Sequence, residues 1–126
     1  MEHLPIITLL MTIAIKNKLT KTTNRQQFIR EREFIIQILL KSISGLKLIA
    51  ENGDTGFDRF QIISRLHQTS EQILRYSLWK QADIAVINEF CKMTKQILKG
   101  EQGISNDIII ETDRVIAILR TESYYI

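Results

Sequence analysis

The chain has 126 residues, of which 44% are hydrophobic and 25% charged, a composition that excludes a disordered segment and fits one folded domain. One Pro and five Gly are too few for the turns of an all-β protein, so helices are favoured. The formal net charge is +3: residues 1–100 carry 15 Lys and Arg against 9 Asp and Glu, and residues 101–126 carry 2 against 5. We therefore predict an all-α fold with residues 1–126 as one domain, a compact four- to five-helix bundle in up-and-down topology.

An apolar segment, residues 4 to 15, opens the chain. It is shorter than the ~20 residues that a membrane-spanning helix needs, and it lacks the basic start and the cleavage site of a signal peptide, so no membrane association is expected. We predict a buried first helix, with a buried β-strand or a partner-binding segment as the alternatives. Residues 16 to 24 are rich in Thr and Lys and are typical of a loop.

The second predicted helix, residues 25 to 51, has a wide apolar arc. Thr23 and Gln26 fit a capping box that would start it near Arg25. Ser42 and Gly45 leave space for another helix to approach closely, or they mark a weak point in this helix. The polar positions fall on one narrow line, so only a thin strip should be exposed. That line is Arg30, Glu33, Gln37, Lys41, Ser44, Lys47 and Glu51.

The third predicted helix spans residues 56 to 80, with Phe60 placed inward beside five aliphatic side chains. No Gly or Pro separates it from the next predicted helix, residues 84 to 99, for which Asp83 is the best N-cap. That helix should end at Gly100. If Asp83 caps nothing, the two segments form one helix of more than 40 residues, in an extended or intertwined oligomer.

The last predicted helix follows Ser105, a good N-cap, and Ile104 and Ile109 fit a hydrophobic staple around its start. The alternative is β-structure, because residues 108 to 110 and 115 to 119 are rich in β-branched side chains that a turn could join. We predict a helix.

Side chains suited to catalysis or metal binding are scarce. His67 and Glu71 are one helical turn apart, but two ligands are too few for a zinc site. We interpret His67 as a partly buried histidine with one hydrogen-bonding partner, and Cys91 as an inert core residue. No catalytic residue, metal or cofactor is expected, and the protein is predicted not to be an enzyme. The single cysteine excludes an intramolecular disulfide and fits a cytoplasmic location.

Two lines of residues without a carboxylate are the candidate binding surface. The line on the third predicted helix is Gln61, Arg65, Gln68, Gln72, Arg75 and Trp79. The line on the fourth is Asn88, Lys92, Lys95 and Lys99. Arg and Gln donate to phosphate oxygens and base edges, and an exposed Trp can stack on a base, so antiparallel neighbours would present one nucleic-acid-binding surface. The alternative is an ordinary solvated face, with Trp79 closing the end of the core.

In size, helicity and basic character the chain is similar to the small helical-bundle subunits of CRISPR effector complexes and, more distantly, to the accessory bundle protein of diversity-generating retroelements. The similarity includes no shared motif, so it assigns no residue a role. It implies a non-enzymatic subunit of a nucleoprotein complex that contacts nucleic-acid backbone. The alternative is a protein-interaction module, such as an adaptor, a secretion or assembly chaperone or an immunity protein, which binds a protein partner or a second copy through apolar helix faces.

Overall fold

The computed structural model describes the backbone of residues 3–52 and 57–121 and the side chains of residues 23–52 and 58–121. This part of the chain contains four helices and no strand: α1 (His3–Asn52), α2 (Phe57–Arg75), α3 (Gln81–Leu98) and α4 (Asn106–Thr121). α1 packs against α2 and α4, and α3 packs against the same two helices, so the four enclose one core. The predicted all-α bundle is confirmed, with four helices over the described residues.

α1 joins two of the predicted helices into one. The predictions of a loop at residues 16 to 24 and of a helix start near Arg25 are wrong, because α1 continues without a break for 50 residues, or about 75 Å. The segment is polar but has no Gly or Pro; its Thr residues weaken the helix without ending it, and its Lys residues are good helix formers. Thr23 therefore lies inside the helix and does not cap it. Neither α1 nor any other helix in the described part of the chain is long and apolar enough to cross a membrane.

The core uses only some of the large apolar side chains of α1 and α2. The buried ones on α1 are Phe28, Ile35, Ile36, Leu39, Ile43 and Leu46. The predicted polar line of α1 is exposed at every position. Ile29, Phe34 and Leu48 are exposed as well, so the exposed strip is wider than predicted. On α2, Phe60 is 59% exposed, and the prediction that it points inward is wrong.

Small side chains on α1 let α2 pack closely against it. Ser42 is buried, and a Cβ added at Gly45 would lie 2.8 Å from Cδ1 of Ile62 in α2. This contact confirms that the two small residues permit a close helix approach. Nearer the start of α1, Glu31 meets Tyr76, which directly follows α2. Residue numbers thus rise along α1 as they fall along α2, and the two helices are antiparallel.

A short non-helical segment, residues 76 to 80, separates α2 from α3. Ser77 adopts a left-handed backbone conformation (φ 55°), which an α-helix cannot continue. α2 therefore ends at Arg75, earlier than predicted, and the alternative of one helix of more than 40 residues is excluded. The N-cap of α3 is Lys80, so the prediction that Asp83 is the N-cap is wrong. Asp83 lies in the first turn, where its negative charge interacts favourably with the helix dipole.

The connection from α3 to α4 follows the predicted end signals. Gly100 has φ 76°, and the N–H of Glu101 donates to the carbonyl oxygen of Gln96 at 3.0 Å, as in a Schellman C-cap. Ser105 caps α4 as predicted, since its Oγ accepts from the N–H of Asp107 at 3.3 Å.

α4 is a helix and not β-structure, the alternative that its sequence left open. Its buried apolar side chains recur at helical spacing: Ile108, Val115, Ile116 and Leu119. Burying such a side chain stabilises the fold by about 1.5–3 kcal/mol, whereas the whole scale of β propensity spans about 1 kcal/mol. The apolar periodicity therefore outweighs the local preference of the Ile residues for strands.

Candidate functional site

A groove runs along the contact between α1 and α2. It has a volume of about 650 Å³ and four lining residues from each helix: Phe34, Gln37, Ile38 and Lys41 of α1, and Arg65, Gln68, Thr69 and Gln72 of α2. A smaller hollow of about 110 Å³ shares two of these residues, and its lining is Lys41, Ser42, Gln61, Ile62 and Arg65. Among the described residues, none that lines the groove or the hollow is a carboxylate.

Lys41 and Arg65 form the cationic centre of this groove. Both side chains are exposed, and neither has an ion-pair partner among the described residues. Lys41 directly precedes the buried Ser42 on α1. Arg65 is about one turn along α2 from Ile62, which contacts α1. The close packing of the two helices therefore brings two unpaired cations into one cleft, where they raise the positive potential and concentrate anions.

Two amides and one aromatic ring complete the exposed lining. Gln37 on α1 and Gln68 on α2 are exposed, and each side chain can donate and accept hydrogen bonds. Phe34 is 69% exposed and lies two turns before Lys41 on α1. The aromatic pairs within the described residues, of Phe28 with Tyr76 and with Trp79, do not include it. The groove therefore combines cations, neutral hydrogen-bonding groups and a free aromatic face.

A part-buried hydrogen-bond network closes one end of the groove. The Glu31 carboxylate accepts a hydrogen bond from the Tyr76 hydroxyl. It also accepts from the side-chain amides of Gln72 and Gln27, each at 3.0 Å. The Gln72 amide makes a second donation, to the Tyr76 hydroxyl oxygen at 3.2 Å. Gln72 is therefore held at the α1–α2 contact by two bonds, and its amide nitrogen is committed to the network.

The network shifts the pKa of both its ionisable groups. The hydrogen bond from Tyr76 is the largest of the effects that lower the pKa of Glu31 below its usual 4.5. Burial, followed by the hydrogen bond to Glu31, raises the pKa of Tyr76 to about 12. At neutral pH the network thus consists of a carboxylate and a neutral phenol, and the negative charge of Glu31 is satisfied by donors other than Lys41 and Arg65.

The structure divides the predicted line on α2. Arg65 and Gln68 line the groove, and Gln72 lies at its closed end. Arg75, the last residue of α2, is exposed and lies outside the groove lining. Gln61 lines the adjoining hollow, so the first four positions of the predicted line belong to the groove and its hollow, and the last two do not.

Trp79 is buried, with 7% of its surface exposed, so the prediction of an exposed stacking residue is wrong. Its ring packs edge-on against Phe28, with the ring centroids 5.1 Å apart. Its Nε1 donates to the carbonyl oxygen of Ile73 at 2.7 Å, which satisfies the one polar atom of the side chain. Trp79 closes the end of the core, as the alternative interpretation had it.

The predicted line on α3 stays exposed but lies apart from the groove. None of its members lines the α1–α2 groove: Asn88, Lys92, Lys95 and Lys99. The flank of α2 that faces α3 carries His67, whose Nδ1 lies 2.9 Å from Oγ1 of Thr94. Glu71, one turn along, is 3.2 Å from Nε2 of His67. A carboxylate thus occupies this flank while Arg65 lies on the flank facing α1, so the two lines do not form one continuous surface.

The surroundings of His67 and Cys91 indicate structural roles for both side chains. His67 is half-buried, as predicted, with two partners instead of one. Cys91 is half-buried rather than fully inside the core, and its thiol is free. No group of three or more His, Cys, Asp or Glu side chains that could hold a metal ion occurs in the described part of the chain.

The α1 side of the groove was not predicted from the sequence. Gln37 and Lys41 were placed on a solvated line, and Phe34 was not singled out. The usable signal was the neighbouring pair of small residues, because Ser42 and Gly45 mark where another helix comes close. Polar residues that flank such a contact line the groove that the contact creates.

No protein-family model, curated protein or solved structure matches the chain. No residue role can therefore be transferred from a relative, and the groove is interpreted from its own chemistry. That chemistry consists of two cations with no ion-pair partner in the described part of the chain, neutral amides and an exposed ring.

Proposed function

We propose that the protein is a non-enzymatic helical subunit of a nucleoprotein complex and that it binds nucleic-acid backbone in the α1–α2 groove. The observation that carries the proposal is the pair Lys41 and Arg65, which come from different helices, line one groove and have no carboxylate partner among the described residues. Arg presents a planar fork of donors that matches phosphate, and Lys adds a mobile point charge. Gln68 extends the set of donors along the same wall.

Further features support the same proposal. The exposed lysines of α3 and its C-cap supply a second basic surface apart from the groove: Lys92, Lys95 and Lys99. Size, helicity and basic character resemble those of small subunits of CRISPR effector complexes at the level of class. The proposal includes a cytoplasmic location, in keeping with a single cysteine, and an up-and-down order of the four helices. The antiparallel α1–α2 pair and the contact of His67 with Thr94 between α2 and α3 support that order.

The test is binding of labelled RNA and DNA, measured by fluorescence anisotropy over a range of salt concentrations. Affinity should fall steeply with salt, and Lys41→Gln with Arg65→Gln should weaken binding roughly tenfold or more. The slope of log affinity against log salt should decrease by about 0.7 to 0.9 for each phosphate contact that is lost. The matched control is Arg25→Gln with Lys47→Gln, which removes the same charges from exposed positions of α1 outside the groove.

A triple Gln variant of the α3 lysines separates the two basic surfaces. A small effect of this variant beside a large effect of the groove variant places the contact in the groove. Absent binding, or binding that is independent of salt, would refute the proposal. Circular dichroism of every variant shows that the fold is retained.

The second candidate is a protein-interaction module, and the exposed apolar side chains favour it. Six large ones lie in the described residues: Ile29, Phe34, Leu48, Phe60, Ile84 and Ile110. Phe60 adjoins a hollow of about 300 Å³ between α2 and α3 that also includes Ile63, Ile97 and Leu98. A protein partner or a second copy that covered these side chains would remove their apolar surface from water. Light scattering that gives a monomer mass at every concentration, with no partner in a pull-down, would count against this candidate.

A further inference from the structure

We infer that the nucleic acid taken by the α1–α2 groove is a single strand, with a phosphate at the Lys41–Arg65 hollow and a base stacked on Phe34. This inference rests on the proposed function and adds the form of the ligand. It depends on three features of the groove: its concave shape, the exposure of the ring and the separation between ring and cations.

The groove lies between two packed helices, whose usual spacing is smaller than the width of a duplex. Packed helices lie about 8–10 Å apart, and duplex DNA, whose major groove alone is about 12 Å wide, is broader than that spacing. Proteins that read the major groove of a duplex insert a convex helix or β-ribbon into it, whereas Lys41 and Arg65 lie between two helices. The 110 Å³ hollow that they line is a small concave site, which a flexible strand can reach with one phosphate.

The ring of Phe34 is placed to stack on a base. It is 69% exposed on the wall of the groove, whereas Phe28, on the same helix, is fully buried and packs edge-on against Tyr76 and Trp79. Phe34 lies seven residues before Lys41, which is about 10 Å along the helix axis. A strand laid along α1 therefore meets the ring and the cations together. A duplex keeps its bases stacked on each other and offers none to this ring.

The amides beside the ring fit unpaired base edges. Gln37 and Gln68 are exposed on opposite walls, and each carries a donor and an acceptor. Gln72 is held by Glu31 and Tyr76, so it shapes the end of the groove and does not contribute its amide nitrogen. Stacking and phosphate contact are both tolerant of sequence, so we expect weak base preference.

The experiment compares a labelled single strand with the duplex of the same sequence, using the wild-type protein and variants at Phe34. The single strand should bind more tightly than the duplex. Phe34→Ala should weaken single-strand binding roughly fivefold to a hundredfold without changing the salt slope, since a stacked base and no phosphate contact is lost. Phe34→Leu, which keeps apolar bulk without a ring face, should behave like Phe34→Ala. Phe34→Trp should retain binding and show quenched fluorescence when the strand is added.

The matched control is Phe60→Ala, because Phe60 is 59% exposed and lies outside the α1–α2 groove. It should leave single-strand affinity unchanged. Equal salt-dependent binding of strand and duplex, with no effect of Phe34→Ala, would overturn the inference and leave the proposed function standing. Wild-type protein that binds neither form would overturn both. Thermal unfolding of the Phe34 variants should stay close to wild type, because the side chain is mostly exposed.

Discussion

Replacing Tyr76 with phenylalanine isolates one hydroxyl at the contact between α1 and α2. The ring of Tyr76 is buried, with 4% exposed, and packs edge-on against Phe28 at a centroid distance of 5.4 Å. Phenylalanine keeps that packing and removes the hydroxyl, which donates to the Glu31 carboxylate and accepts from the Gln72 amide. A hydrogen bond to a charged group contributes about 1.5–3 kcal/mol, and Glu31 retains its bonds from Gln72 and Gln27. We expect Tyr76→Phe to lower the free energy of unfolding at pH 7 by about 2 kcal/mol.

The same substitution should change the pH dependence of stability at both extremes. Because the folded pKa of Tyr76 is raised from 10.0 to about 12, its contribution is present below pH 10 and is lost as the pH rises to 12. Because the folded pKa of Glu31 is lowered, its contribution is present above pH 4.5 and is lost as the pH falls through the folded value. Tyr76→Phe should abolish the loss of stability between pH 10 and 12 and should make the loss of stability at acid pH smaller.

Urea unfolding followed by circular dichroism at several pH values measures these free energies. Ultraviolet absorbance of tyrosinate gives a second readout, because Tyr76 is one of three tyrosines and should ionise near pH 12. Gln27→Ala is the control, since it removes a donor to the same carboxylate on the exposed side and should cost less. The reasoning would be refuted if Tyr76→Phe matched wild type at pH 7 and the tyrosinate signal near pH 12 persisted in the variant.

Two further predictions concern the helix ends and the helix contact. Ser105→Ala removes the N-cap of α4 and should lower the free energy of unfolding by about 1 kcal/mol, or Tm by roughly 4 °C. Ser44→Ala, at an exposed position in the middle of α1, is the control and should not lower Tm. Equal Tm values for the two variants would contradict the role of Ser105 as a cap. Gly45→Ala should raise the free energy of unfolding of the wild type only slightly, because the added Cβ would lie against Cδ1 of Ile62. In an Ile62→Val background, which lacks that atom, the same substitution should raise it by about 1 kcal/mol. Urea unfolding of the four variants of this cycle measures the coupling, and strict additivity would show that the contact is unstrained.

The sequence predicted correctly those features of the fold that depend only on neighbouring residues. Gly100 and Ser105 mark helix ends through backbone geometry and capping, which depend on adjacent residues only. The buried face of α4 follows from its apolar period. The break after Arg75 was misplaced by five residues, because it depends on the left-handed Ser77, and serine carries no strong signal for that conformation.

The candidate site was only half predicted, because a groove belongs to two helices. The α2 wall, with Arg65 and Gln68, stands out in the sequence as a line without acids. The α1 wall does not, since Lys41 belongs to a mixed line that also carries Glu33 and Glu51. Which part of that line meets Arg65 depends on the register of the two helices, and register is a tertiary property.

Two contacts between α1 and α2, one on each side of the groove, act as anchors that hold its walls in place, and they affect how the groove would bind a nucleic acid. At one end the Glu31–Tyr76 hydrogen bond joins the helices, and beyond the cations the Gly45–Ile62 contact brings them close. A cleft fixed on both sides is formed before the ligand arrives, so less ordering free energy is spent on binding. Tyr76→Phe should therefore weaken strand binding as well as stability, although Tyr76 does not line the groove. Ser105→Ala, which destabilises α4 without touching either anchor, should leave affinity unchanged at temperatures where the protein is folded.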